Sequence, residues 1–314
     1  MRTGLMAGLL WGLDTVILGV ALAKAPFVST EQAVALAPFV STFLHDFCSS
    51  IWMLIYMGIK KEYKKVIRAL KSKSGKYIVF GALLGGPVGM SGYVAAINLI
   101  GPGYTSVISA IFPAVGAFLA FIFLKENMKA YQIAGLLVSI AGVIGLGYTP
   151  GGSTGENFVL GFGCALLCVI GWASEAVICA YGMKDPDISD EQALQIRQLT
   201  SAIFYGLVIL NVLSGWKFTL EVSETSAMGI IAASALFGTA SYVCYYKAIN
   251  HIGASKAMAL NITYSAWAIV FGAVLLGDIP SIASILLAIL IVVGSIVAAC
   301  DLKDFIHTRS EKND

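Results

Sequence analysis

Charge is what this sequence has least of. Asp, Glu, Lys and Arg make up 12% of its 314 residues, where a water-soluble domain carries roughly 25%. A soluble fold is excluded, and no hydrophilic stretch is long enough to form a second, water-exposed domain. Histidine occurs only 3 times. No HExxH helix, CxxC pair or nucleophile and base set is present, which removes the usual footing for metal, redox or hydrolytic chemistry. Glycines gather at Gly81, Gly85, Gly86, Gly89 and Gly92 around Pro87, but no Lys-Ser/Thr pair follows and no strand precedes. A phosphate-binding loop is therefore a poor reading, and the run suits close helix approach or a break in a helix. No enzyme activity, cofactor, metal or nucleic-acid partner is expected.

What is present is apolar: 58% hydrophobic residues and a mean hydropathy of +0.84. Apolar runs lie at about 4–23, 36–58, 77–99, 104–124, 131–148, 158–181, 190–214, 226–249, 254–276 and 281–299. Each is near the roughly 20 residues that a helix needs to cross a bilayer. They are continuous and lack the alternation of lipid-facing strands, so the expected fold class is an all-α integral membrane protein with ten transmembrane helices. The first run, preceded by Arg2 and followed by Ala21-Leu22-Ala23, superficially resembles a cleavable signal. Asp14 in mid-run argues for a retained span instead. The cysteines Cys48, Cys164, Cys168, Cys179, Cys244 and Cys300 sit in or at the end of apolar stretches and read as small packing residues.

Basic residues divide unevenly. With the N-terminus in the cytoplasm, all but Lys24, Lys217 and the intraspan Arg197 of the 20 Lys and Arg fall in cytoplasmic segments, the densest from Lys60 to Lys76. The positive-inside rule then places both termini in the cytoplasm of a cell (inner) membrane and requires an even number of spans.

An internal repeat organises the chain. At an offset of 152 residues, Ala96-Ile97-Asn98-Leu99-Ile100-Gly101 matches Ala248-Ile249-Asn250-His251-Ile252-Gly253, and the match runs without a gap through Gly142 against Gly294. It also pairs His45-Asp46 with Arg197-Gln198. At an offset of 161, Trp11, Asp14, Val16 and Ile17 match Trp172, Glu175, Val177 and Ile178. Residues 1–150 and 151–314 thus read as two five-helix repeats, the second with a short cytoplasmic tail. An odd number of spans inverts the second, an architecture of secondary transporters whose substrate site lies near midplane between the halves.

Ionisable groups inside spans cost about 2.5 to 3.5 kcal/mol each on insertion scales and usually face an interior cavity. Here they are Asp14, His45, Asp46, Glu175 and Arg197. Asp46 with Arg197 reads as a structural ion pair. Glu175 keeps different company, with Trp172 one turn away, as Trp11 is from Asp14 in the repeat-related helix. Tyr264 and Trp267 form a second aromatic pair, and Tyr242, Tyr245 and Tyr246 an aromatic face. Deep rings converging on a carboxylate suit a quaternary ammonium, which binds by ring faces. The plainer alternative for these aromatics is packing. Candidate substrate-binding residues are Trp11, Trp172, Glu175, Tyr242, Tyr245, Tyr264 and Trp267. Proton-coupling candidates are Glu175, His45 and Asp14, with His45 equally readable as a structural histidine beside Asp46.

These residues resemble the drug/metabolite transporter superfamily with EamA-type repeats, and within it the bacterial choline permeases. The correspondence includes His45-Asp46-Phe47, Gly86-Pro87, Gly89-Met90, Ser109-Ala110-Ile111, Trp172 with Ser174-Glu175, Ile196-Arg197-Gln198, Tyr245-Tyr246, Leu260-Asn261, Tyr264 and Trp267. The resemblance implies choline uptake through an aromatic cage with an acidic counter-charge, driven by protons or the membrane potential. Asp14 stands where those permeases carry a small residue. An exporter of amino acids or other small metabolites on the same fold is the alternative, and a membrane receptor without transport a third. Beyond choline and the lipid bilayer no partner is implied, and the oligomeric state stays open.

Overall fold

The computed structural model describes residues 1–147 and 158–300. The expected repeat boundary at 150/151 and the tail with Lys303, Arg309 and Lys312 lie outside the described residues. Every regular element among the described residues is helical. Ten of these segments are long and apolar enough to cross a membrane: Arg2–Leu22, Glu31–Ile59, Lys73–Gly101, Val107–Leu124, Ala130–Gly147, Phe158–Gly182, Asp190–Val212, Ser226–Ile252, Ala254–Leu276 and Ile282–Ala299. They are called the first to tenth spans below. Large apolar side chains point outward along them, as Ile282, Leu286, Ile289 and Val293 do on the tenth. The charged residues Asp14, Asp46, Glu175 and Arg197 point inward and are buried. That inversion of the soluble pattern is what a hydrocarbon surround selects.

Local chemistry sets the helix ends. Thr30 caps the second span by accepting from the Ala33 amide at 3.0 Å. Ser189 and Gln192 form a reciprocal capping box at the start of the seventh, which satisfies amides that have no partner within the helix. Lys60, just past the second span, bonds Glu191 at 2.7 Å, and this hydrogen bond holds its ammonium above the usual lysine range. Gly101 (φ 80°) and Gly253 (φ 88°) occupy equivalent repeat positions and break the chain between third and fourth and between eighth and ninth spans. A side chain at either φ would be strained. Past Gly253, the Glu126 carboxylate accepts from the amides of Ala254 and Ser255, both at 2.9 Å, and so caps the ninth span.

The first span packs on the eighth and ninth, and the sixth packs on the third and fourth, the same relation with the halves exchanged. The fifth and tenth pair through small residues. Ser139 donates to the Ile291 carbonyl at 3.1 Å, and its hydroxyl lies 2.7 Å from that of Ser295. A Cβ at Gly135 would sit 2.7 Å from the Ala298 nitrogen and 2.8 Å from the Gly294 oxygen, whereas Gly229 has nothing within 4 Å. Backbone cannot yield as a side chain does. Gly135→Leu is therefore expected to destabilise the protein by about 1 to 3 kcal/mol and to lower its melting temperature in detergent, with Gly229→Ala close to wild type as the control.

In the third span the glycine run does more than permit close approach. Leu84–Met90 forms a wide π-helical turn with Pro87 inside it, a distortion often found at functional sites. A Cβ at Gly85 would collide with the Glu175 carboxylate, one at Gly86 with the Ser201 hydroxyl, and one at Gly89 would lie 3.1 Å from Trp172 Cδ1. Bare backbone thus forms one wall around the residues described next.

Candidate functional site

Five rings from five spans meet in the interior. Trp11 stacks on Tyr264, centroids 3.9 Å apart and planes at 28°. Trp172 stands edge-on to Trp11 at 6.4 Å and to Phe112 at 5.7 Å, and tilted to Tyr93 at 5.3 Å. Phe112 is buried, while Trp11, Tyr93, Trp172 and Tyr264 are only half-buried. At 3.9 Å the stacked pair leaves no room for a cation between them, so each offers only its outer face. Trp267 takes no part in these ring contacts. Its Cβ lies 2.6 Å from where a Gly12 Cβ would stand, and its indole Nε1 is buried without a hydrogen-bond partner.

Beside the rings runs a continuous chain of charges. Asp14 Oδ1 lies 3.1 Å from His45 Nε2 and also accepts from the Ser234 hydroxyl. His45 Nδ1 is 3.7 Å from Asp46 Oδ1, and Asp46 Oδ2 accepts from Ser201 at 2.5 Å. Asp46 Oδ1 is 3.5 Å from Arg197 Nη1, and Arg197 Nε donates to Glu175 Oε1 at 2.7 Å. Arg197 also donates to Gln198 Oε1 at 2.8 Å and to the Tyr242 hydroxyl at 3.2 Å, with its guanidinium 4.7 Å from the Tyr242 ring centroid. Tyr246 donates to Glu175 Oε1 at 3.4 Å. A Cβ at Gly238 would come within 2.8 Å of Asp14 and His45, so the eighth span can approach this pair only through glycine. Unpaired, such charges would be prohibitive in an apolar interior. Here each has a partner. Among the described residues no group of three or more His, Cys, Asp or Glu side chains is arranged to hold a metal ion.

The chain of charges follows the repeat. Asp14 pairs with His45, and the equivalent residues Glu175 and Arg197 pair with each other, so each half sets an acid on its first helix against a base on its second. Asp46, beside His45, bridges to Arg197 across the halves.

The structure adds a partner for Glu175. Arg197, which pairs with Asp46 at 3.5 Å, also holds Glu175 at 2.7 Å. Helix spacing places Glu175 on the Trp172 face of the sixth span but says nothing about how far the seventh is rotated towards it. Tyr242 enters the charged chain through Arg197. Tyr245 is buried in the core, 6.5 Å from Tyr242 and 6.3 Å from Tyr246. Two rings of the cluster escaped the sequence reading, Tyr93 and Phe112. The repeat carried the signal, since the offset of 152 pairs Tyr93 with Tyr245 and Phe112 with Tyr264.

Comparison with known proteins decides the class. The model of the EamA-like transporter family matches twice, at residues 3–148 and 159–300. The chain belongs to the EamA-like transporter family. It is 32% identical over 296 residues to "Protein LicB" of Haemophilus influenzae (strain ATCC 51907 / DSM 11121 / KW20 / Rd), covering 94% of this chain and 95% of that one. A crystal structure of another protein, 18% identical, covers 95% of this chain and 96% of its own with a TM-score of 0.72, a likeness of fold alone. EamA-like proteins are transporters rather than enzymes. The chain is a multi-pass membrane protein of a transporter family.

Proposed function

We propose that this EamA-like transporter imports choline across the cell inner membrane, with both termini in the cytoplasm and the two matched halves acting as inverted repeats. The observation that carries the reading is the set of half-buried rings, Trp11, Tyr93, Trp172 and Tyr264, of which Trp11 and Trp172 stand one helical turn from Asp14 and Glu175. A quaternary ammonium has no N–H to donate and takes ring faces plus a nearby negative charge, each desolvated cation–ring contact contributing about 2 kcal/mol. The motif correspondences with choline permeases support the same substrate. Trp11, Trp172, Tyr264 and Trp267 are the ring candidates, Tyr242 and Tyr245 outlying ones, and Glu175 the counter-charge. The membrane potential supplies about 2.3 kcal/mol per charge per 100 mV, roughly 50-fold accumulation of a monovalent cation. Protons add to this if Glu175, His45 or Asp14 carries one inward with the substrate. His45 lies between two carboxylates, 3.1 Å from Asp14 and 3.7 Å from Asp46.

One observation favours a second reading, export of amino acids or related metabolites. The pairing of Glu175 with Arg197 presents both charge signs, as a zwitterion requires. Uptake of labelled choline into proteoliposomes separates the two. We expect saturable uptake that an inside-negative potential stimulates and excess unlabelled choline blocks, while amino acids do not compete. Amino-acid flux without choline flux would give the second reading.

A further inference from the structure

Arg197 already occupies the kind of place that an organic cation seeks. Its guanidinium is buried, faces the Tyr242 ring at 4.7 Å and bonds the Glu175 carboxylate at 2.7 Å, a ring face and a counter-charge together. A second berth lies within reach. Asp46 Oδ1 is 3.5 Å from Nη1, and Asp46 is itself fixed by Ser201 and approached by His45 at 3.7 Å. The guanidinium therefore lies between two carboxylates, one engaged and one only loosely so.

Resting on the reading of the protein as an organic-cation transporter, we infer that Arg197 is a tethered competitor of the substrate. In the empty transporter it neutralises Glu175, which would otherwise be a buried unpaired charge. An arriving cation takes over Glu175, and Arg197 shifts onto Asp46. The shift has a direction in the fold. Glu175 and Arg197 lie on the sixth and seventh spans, both in the second half, whereas Asp46 lies on the second span, in the first half. Exchange of partners releases the tie within one half and tightens the 3.5 Å tie between halves, so occupancy of the site is felt where the halves meet. The third span presents no side chain here: a Cβ at Gly86 would collide with the Ser201 hydroxyl and lie 4.0 Å from Arg197 Nη2. Arg197 is thus a positioning residue that sets affinity by what it vacates.

The test is choline binding to purified protein by calorimetry, with folding checked by size exclusion and thermal unfolding. Asp46→Asn removes the second berth and is expected to weaken binding by about tenfold, although Asp46 touches no substrate. Adding Arg197→Gln to Asp46→Asn removes one charge of each sign, leaves Glu175 to the substrate alone, and is expected to bind about tenfold tighter than wild type. A merely structural role moves both variants in the same direction, towards weaker binding. Tyr242→Phe keeps the ring and deletes the hydroxyl that accepts from Arg197, so it is expected to tighten binding by roughly threefold, and it decides the matter if the double variant does not fold. Unchanged or weaker binding in the folded double variant, or in Tyr242→Phe, overturns the inference while leaving choline transport standing. Absence of choline binding by the wild type overturns both.

Discussion

Glu175→Gln is expected to weaken choline binding by more than tenfold. The substitution keeps the shape of the side chain, so the contact with Gly85 in the third span and the hydrogen bond from Tyr246 have the same geometry to satisfy. What it removes is the negative charge. A cation drawn out of water needs a compensating charge close by, and a neutral amide supplies only a dipole, a difference of about 2 kcal/mol or more at a site screened from solvent. Arg197 keeps a partner in the variant, since Asp46 lies 3.5 Å away, so the protein is expected to fold. Calorimetry reads the loss. Coupled proton influx measured with a pH-sensitive dye separates the carriers: it vanishes in Glu175→Gln if that carboxylate moves the proton and persists if His45 does. Wild-type affinity in the variant would falsify the role given to Glu175 and return the substrate question to the wider family.

Trp172→Leu is the second large expectation. Trp172 is the hub of the aromatic cluster, in contact with Trp11, Tyr93 and Phe112. Leu preserves apolarity and part of the volume but removes the ring quadrupole, and choline affinity is expected to fall by about 1 to 2 kcal/mol, roughly 5- to 30-fold. Phe in the same place restores a smaller ring and part of the loss. The two substitutions also separate packing from recognition. If the ring serves only to fill space, Leu lowers the melting temperature and leaves the affinity of the folded fraction intact, and thermal unfolding with and without choline reads the difference.

Both expectations begin in the sequence, and it is instructive where each ceases to be legible there. Ten spans could be read from apolar runs because a hydrocarbon surround permits so few backbone arrangements. The pairing of Asp14 with Trp11 and of Glu175 with Trp172 could be read because residues three apart share a helical face. The repeat offset held information that went unused, since it marks Tyr93 and Phe112 as counterparts of Tyr245 and Tyr264. The glycine run around Pro87 was visible as a place of close approach, but not as a π-helical turn, because that depends on which neighbours press on the backbone.

By itself, the sequence determined the class of protein, the number and order of spans, and which side chains are too costly to bury without a purpose. Tertiary structure alone decided who partners whom. Arg197 was expected on Asp46 and is held more closely by Glu175, 2.7 Å against 3.5 Å, and a choice between two carboxylates on different helices rests on rotations and depths of about an ångström. Those are set by packing: by Gly85, which lets the third span close on Glu175, and by Gly238, which lets the eighth close on Asp14 and His45. Periodicity along one helix carries no trace of the angle at which another helix meets it, and so the chain from Asp14 to Glu175 exists only in the folded bundle.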